Sequence, residues 1–539
     1  MSHGDERESA SAAGGRFRRI AVALAGWLAA TGVSAQVWEV GEQGLVFSTG
    51  PQGVGQFGQV TASGDFNGDG YRDLAVGAPF WDAPAPTAAE NAGRVQIHLG
   101  SSQGLSETPF LEMIGALVDM GLGSALAAGN FDPDFADELA IGAPGFDLLG
   151  VESAGRVFVL DSDGGAWTLT FWTQGQEGLP GTAETDDRFG EVLAVGDFDN
   201  DGRGDLAVGI PYEDVLLVDS GAIQVLYGSA TGLTADGALL VVQSTVVPPE
   251  QAGAAMGRAL AAGDFNADDQ FWDLAVGFPG FDVGGVGNAG GVAILFGGSG
   301  GLSTLGAQLI DDNDVGGALN VDDGFGWALA AGDFDRTTGC WMSFDCRTDL
   351  AIGVPGQTVD GADDAGLVVF AYGGAGGIQV GGAQRVDQGD LSPLVSSPEP
   401  GDRFGSVLWS EYLGSSQLDG PPSDFTPSAD DLVIGVPAEN WLGTAFQGVV
   451  HLVFGSATGL NATPGGWQLA NPGLSSAPAA AFDNFGYAIG VGDFDNDEWD
   501  DLAIGVVGRD AGASNSGMVQ VLYGALFADG FESGGTSNW

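Results

Sequence analysis

The chain has 539 residues, 95 of them Gly, and carries 72 Asp or Glu against 15 basic residues, all Arg, for a formal charge of −57. Such a surface repels phosphate, which excludes a nucleic-acid binder and docking on anionic lipid, and the lack of Lys excludes a P-loop enzyme. Hydrophobic residues make up 44%, so this is not a disordered acidic tail, and the surplus of carboxylates suits a cation-binding protein.

The N-terminal segment reads as a leader. Arg16, Arg18 and Arg19 precede an apolar stretch, Ile20 to Val33, too short to span a bilayer. Val33-Ser34-Ala35 is a small-residue cleavage pattern, so residues 1–35 are expected to leave and Gln36 to begin an exported protein. No later segment reaches the roughly 20 apolar residues of a membrane helix, so no membrane span is expected. The next element, Gln36-Val37-Trp38-Glu39-Val40, has the pattern of a lone strand.

From there an internal repeat runs to the end. Units open at Phe57-Gly58, Leu122-Gly123, Phe189-Gly190, Met256-Gly257, Phe325-Gly326, Phe404-Gly405 and Phe485-Gly486. Each continues with an acidic loop, then a short apolar run closed in six units by Gly-x-Pro (Gly77-Ala78-Pro79, Gly142-Ala143-Pro144, Gly209-Ile210-Pro211, Gly277-Phe278-Pro279, Gly353-Val354-Pro355, Gly435-Val436-Pro437). The seventh closes with Gly505-Val506-Val507. A Val/Ile/Leu-rich run follows, starting at Gly93, Gly155, Gly221, Gly291, Gly366, Gly448 and Gly517, and a weaker fourth run such as Trp467-Gln468-Leu469 precedes the next unit. Short apolar runs bounded by Gly, Pro, Asn and Asp read as strands. Four antiparallel strands per unit, repeated seven times, predict an all-β, seven-bladed β-propeller over residues 36–526, since one four-stranded sheet cannot bury both faces alone. Unit seven lacks a fourth strand of its own, so Gln36 to Val40 is expected to complete the last blade and close the ring. Residues 527–539 read as a polar tail.

The Phe-Gly opening and Gly-Ala-Pro closing resemble the FG-GAP repeat of the integrin alpha-subunit propeller, in a form similar to the secreted FG-GAP proteins of bacteria. The resemblance covers about residues 36–525, nearly all of the expected mature chain.

The acidic loops place oxygen-bearing side chains at positions 1, 3, 5 and 9, with a position-7 carbonyl between them, and alternate positions of a tight loop converge on one point as a hard cation requires. Three loops are complete: Asp65, Asn67, Asp69, Tyr71 (carbonyl) and Asp73; Asp197, Asp199, Asp201, Arg203 (carbonyl) and Asp205; Asp493, Asp495, Asp497, Trp499 (carbonyl) and Asp501. Asn130, Asp132, Asp134 and Glu138 lack the first charge. Asp264, Asn266 and Asp268 have their closing Asp273 one residue late. Asp333, Asp335 and Asp349 are interrupted by eight extra residues and form a weaker candidate, and unit six has Tyr412 where the first Asp belongs. The family resemblance implies that loops of this form bind Ca²⁺, three to five ions per chain, with a structural role. Cys340 and Cys346, in the extended loop of unit five, are expected to form a disulfide in an exported protein.

In the integrin propeller, which this chain resembles, ligands meet the face opposite the calcium loops. Aromatics after the Gly-x-Pro turns, Phe80, Trp81, Tyr212 and Trp441, are candidates for such a face, with Trp81 and Trp441 expected to be the most exposed. Beyond His3, the only histidines, His98 and His451, fall within strands and read as core residues. The expectation is a secreted, calcium-stabilised module, a monomer, binding an extracellular protein or glycan. A calcium-dependent polysaccharide lyase or other extracellular hydrolase is the first alternative and a surface-layer component the second.

Overall fold

The computed structural model describes residues 55–523, apart from 85–86, 163–166, 177, 269–270, 336–346, 392–396, 411–428, 441–442, 454, 456–466, 471–479, 498–499 and 511–515, together with the backbone of two N-terminal strands. Apart from one short helix, Gln243–Val246, the described elements are strands.

The strands form seven sheets. The first runs Val60–Gly64, Asp73–Ala78, Arg94–His98 and Leu111–Ile114, each antiparallel to the next. Blades two to six repeat this order. The first strands of successive blades touch one another in a complete cycle, with Phe485–Gly492 of blade seven against Val60–Gly64 of blade one. This is the expected all-β seven-bladed propeller of four-stranded antiparallel blades.

The radial position of each strand follows from its sequence. Second strands such as Asp73–Ala78, Asp205–Ile210 and Asp349–Val354 are buried at every residue, as continuous apolar runs require. Fourth strands are less uniform: Leu111–Ile114 alternates between half-buried and exposed positions, while Thr168–Phe171 is exposed throughout. Seven apolar clusters fill the seams between neighbouring blades. One of them gathers Phe189 with Val157 and Val159 of blade two and Leu206 and Val208 of blade three.

The repeat signature lies in these seams. The opening phenylalanines Phe57, Phe189, Phe325, Phe404 and Phe485 are fully buried. The glycine after each has positive φ, +86° at Gly58, a conformation that favours Gly. Its carbonyl presses on the closing glycine of the preceding blade: a Cβ on Gly142 would lie 2.1 Å from the Gly190 oxygen, and one on Gly209 2.3 Å from that of Gly257. Both glycines of the motif are therefore steric requirements of blade-to-blade contact.

The N-terminal strands differ from expectation. Val37–Glu39 does not join blade seven; it runs parallel to Trp467–Ala470, as a fifth strand on blade six. The outer strand of the seventh sheet is instead Leu45–Ser48, antiparallel to Met518–Leu522. Both segments have a strand pattern, but only the later one lies beside the Gly517–Phe57 bridge that joins blade seven to blade one.

Candidate metal centres

Each acidic loop joins the first strand of a blade to the second. In blade three, Asp197 at position 1 accepts from two backbone amides through its two oxygens: Asp201 N–H to Oδ1 at 3.1 Å and Gly202 N–H to Oδ2 at 3.0 Å. Asp199 Oδ1 accepts from the same Asp201 N–H, and Asp201 Oδ1 from Arg203 N–H. The blade-one loop repeats this: Asp69 N–H donates to Asp65 Oδ1 and Asn67 Oδ1, Gly70 N–H to Asp65 Oδ2, and Tyr71 N–H to Asp69 Oδ1. The loop backbone thus folds around the side chain of position 1 and turns positions 3 and 5 toward it.

The closing acid has a second task. Asp205 is fully buried; its Oδ2 accepts from Phe198 N–H at 2.8 Å and its Oδ1 from Gly228 N–H at 2.9 Å, tying the loop to the end of the third strand. Asp73 does the same with Phe66 and Gly100, Asp273 with Phe265 and Gly297, and Asp349 with Phe334 and Gly373. The late Asp273 therefore takes its regular place. The loops are also joined laterally: Gly204 N–H donates to Asn130 carbonyl of the preceding blade, Trp272 to Asp197, Thr348 to Asp264 and Asp430 to Asp333.

Among the described residues, carboxylate oxygens converge within 4.8 Å of one another in four loops: Asp132, Asp134 and Glu138; Asp197, Asp199 and Asp205; Asp333, Asp335 and Asp349; and Asp493, Asp495 and Asp497. The third group is a loop whose eight-residue insertion marked it as weaker in sequence; its closing acid, Asp349, heads a second strand as Asp205 does and so keeps the regular place. In the loops of blades one and four Asn67 and Asn266 supply the middle oxygen, each accepting from the backbone amide two residues on. Burial, with the other loop acids adding, pushes Asp73, Asp205 and Asp273 up to about 7 and Glu138 to about 8. Acids so crowded resist ionising together unless a cation neutralises them. The donor set is all oxygen, carboxylate and carboxamide, which matches Ca²⁺ and not a thiophilic metal. The residues present fit that ion. Trp499, Tyr412, Cys340 and Cys346 lie outside the described residues.

The opposite face carries the loops between second and third strands. Phe80 is exposed there, Tyr212 is half-buried, and Trp441 lies outside the described residues. Trp81 is not exposed as expected: it is 6% accessible, fills the blade seven–blade one core, and has the Arg94 guanidinium 5.0 Å above its ring. The cause is Gly55, whose Cα leaves room for the indole where a Cβ would come within 2.8 Å. Other apolar side chains that sequence reasoning passed over stand out on this face: Leu149, Leu216, Leu217 and Val218, and Phe446, stacked on Phe482 with centroids 5.4 Å apart. His98 and His451 are buried in their sheets, and burial holds both imidazoles below the usual range, at about 4 and about 3.

Comparison with known proteins accords with this geometry. An FG-GAP repeat model matches residues 57–98, 122–160 and 189–226, in the first three blades. Integrin alpha-PS2 of Drosophila melanogaster is 28% identical over 225 residues, 41% of this chain and 15% of that protein. Integrin alpha-5 of Xenopus laevis is 31% identical over 186 residues, 34% of this chain and 17% of the relative. A phosphatidylinositol-glycan-specific phospholipase D of Bos taurus is 30% identical over 209 residues, 38% of this chain and 24% of the enzyme. The aligned parts thus span a quarter or less of these relatives' own length.

Proposed function

This chain is an FG-GAP repeat, integrin alpha-like β-propeller, and on that premise we propose that it is a calcium-stabilised module that binds a protein or glycan outside the cell or at its surface. The observation that carries the reading is the division of labour between its faces. Clustered carboxylates occupy one face, while Leu149, Leu216, Val218 and the Phe446–Phe482 stack project from loops on the other. Apolar side chains grouped on loops and surrounded by acidic residues form a surface suited to a partner. Ca²⁺ would be held by the loop groups built on Asp65, Asn130, Asp197, Asp264, Asp333 and Asp493, three to five of them filled, and would neutralise their charge and fix the loops. Among the described residues no helix is long and apolar enough to cross a membrane.

The test is binding of the whole chain to immobilised extracellular proteins and polysaccharides in millimolar Ca²⁺, with the Leu216→Asp/Val218→Asp double variant and the Phe446→Ala variant in parallel. A partner retained by the parent chain and lost by either variant supports the reading. Release of new chain ends from a polysaccharide, or of lipid-free glycan from a glycosylated phosphatidylinositol substrate, overturns it in favour of a hydrolase or lyase. The phospholipase similarity makes the second substrate worth including.

A further inference from the structure

A second recurring arrangement lies at the connections between blades, away from the acidic loops. It uses three positions: two residues past the fourth strand, two residues before the opening phenylalanine, and four residues past the closing glycine. In blade seven the second and third are Asp483 and Arg509, a buried ion pair with Arg509 Nη1 2.6 Å from Asp483 Oδ2. In blade five the three are Asp312, Asp323 and Gln357, and the Arg385 guanidinium pairs with Asp312 and donates to Gln357 Oε1 at 3.2 Å. In both blades a guanidinium answers the buried carboxylates.

Among the described residues, blades three and six keep the acids and show no such cation beside them. Blade three has Gln174, Asp187 and Glu213, which are 0%, 1% and 7% accessible. Blade six has Gln388, Asp402 and Glu439, at 1%, 0% and 2%. The Gln174 amide donates to Glu213 Oε2 at 2.9 Å and that of Gln388 to Glu439 Oε2 at 2.7 Å. One oxygen of each aspartate is already used, accepting from Glu184 N–H and Glu399 N–H respectively. The adjacent Arg188 lies over the Tyr212 ring, 5.1 Å from its centroid. Asp187 Oδ1, Gln174 Oε1 and Asp402 Oδ1 are buried and accept no hydrogen bond. Asp187 acts electrostatically on Glu213, and Asp402 on Glu439, and buried carboxyl groups so coupled, with buried oxygens left unanswered, are costly unless positive charge joins them.

We propose that the Gln174–Asp187–Glu213 and Gln388–Asp402–Glu439 clusters are two further cation sites, each taking an oxygen-ligated divalent cation of the Ca²⁺ class where Arg509 and Arg385 stand in blades seven and five. Two carboxylates balance the charge of one such ion, and carboxylate and carboxamide oxygens are the donors it prefers. The sites use none of the acidic-loop residues, and Glu213 shares the loop between Ile210 and Ala222 with Leu216 and Val218.

The test counts Ca²⁺ bound by the full chain after equilibrium dialysis, using elemental analysis. The double variant Glu213→Gln/Glu439→Gln keeps shape and removes two charges; the expected result is two fewer Ca²⁺ per chain than the parent. Should that variant fail to fold, Glu439→Arg, which recreates in blade six the pair already present at Asp483 and Arg509, gives the same reading with one fewer ion. An unchanged count in the folded variant overturns the proposal. If infrared spectra of the parent then show protonated carboxyl groups that vanish in the double Gln variant, the occupant is a shared proton and no metal.

Discussion

The α-carbon of Gly505 in blade seven faces the carbonyl oxygen of Gly58 in blade one, so close that a Cβ on Gly505 would lie 2.0 Å from it. The same contact recurs between Gly77 and Gly123, 2.3 Å from carbonyl oxygen to notional Cβ, so the junction that closes the ring is built like the others. Gly505→Ala must push apart two backbones that have no flexible end to yield. Overpacking of this kind costs about 1–3 kcal/mol, and the change should lower the melting temperature by several degrees. Gly381→Ala is the control, because nothing lies within 4 Å of its Cβ position. Equal melting of the two variants would contradict the steric account of the motif.

Asp205 holds Phe198 N–H and Gly228 N–H with its two oxygens inside the protein. Asp205→Asn places an N–H donor against one of those amides and leaves it unanswered, a loss of about 1–3 kcal/mol. The loss should persist in EDTA, measured by chemical denaturation, since it concerns the fold before any ion. Asp199→Asn, at a half-buried position, should by contrast weaken Ca²⁺ binding and leave the EDTA-treated protein nearly unchanged.

Chelation should destabilise the parent chain. A site at a hundred times its dissociation constant contributes about 2.7 kcal/mol, so filling several loops separates the melts in millimolar Ca²⁺ and in EDTA by many degrees. Differential scanning calorimetry measures the gap; coincident melts would remove the structural role assigned to the ion.

The same carboxyls set the pH response. Asp73, Asp205 and Asp273 are pushed up to about 7 by burial, from an ordinary value of 3.8. Without metal the folded chain binds protons that the unfolded chain has released. Their stabilising contribution is complete below about pH 4 and is lost as pH rises through about 7. The EDTA-treated protein should therefore melt lower at about pH 8 than at about pH 5. Ca²⁺ competes with those protons, so its affinity should increase over the same interval. The difference between calcium-loaded and chelated melts should accordingly widen with pH, and a constant difference would argue that these groups do not meet the ion.

Much of the ring was legible because one physical constraint repeats seven times. A second strand buried on both faces must be apolar throughout, and the close approach of blades demands Gly, so strands such as Asp205–Ile210 and the seam glycines stand out from composition alone. The strand that completes blade seven did not. Fourth strands are half-exposed and weakly patterned, and the interval to the next opening residue is eight residues after Ile114 but eighteen after Val386. Val37–Glu39 and Leu45–Ser48 both satisfy that range, and only pairing chooses between them. In the loops, ligand spacing read Asp197, Asp199 and Asp205 directly, but it discounted Asp349, whose place is set by the strand it begins. Trp81 was misread because its burial depends on Gly55, a residue without a side chain to leave a pattern.

The blade connections described above are not interchangeable. At the position four residues past the closing glycine, blades one, two and four carry Trp81, Phe146 and Phe281, blades three and six Glu213 and Glu439, blade five Gln357 and blade seven Arg509. A chain of near-identical modules risks annealing out of order, skipping a module or exchanging one with a second copy. Here a misassembled junction would set a guanidinium against an indole or a carboxyl against a phenyl ring, at a cost that correct succession avoids. The variation that blurs the repeat thus works as an address for each module, and it selects a ring of seven in one order.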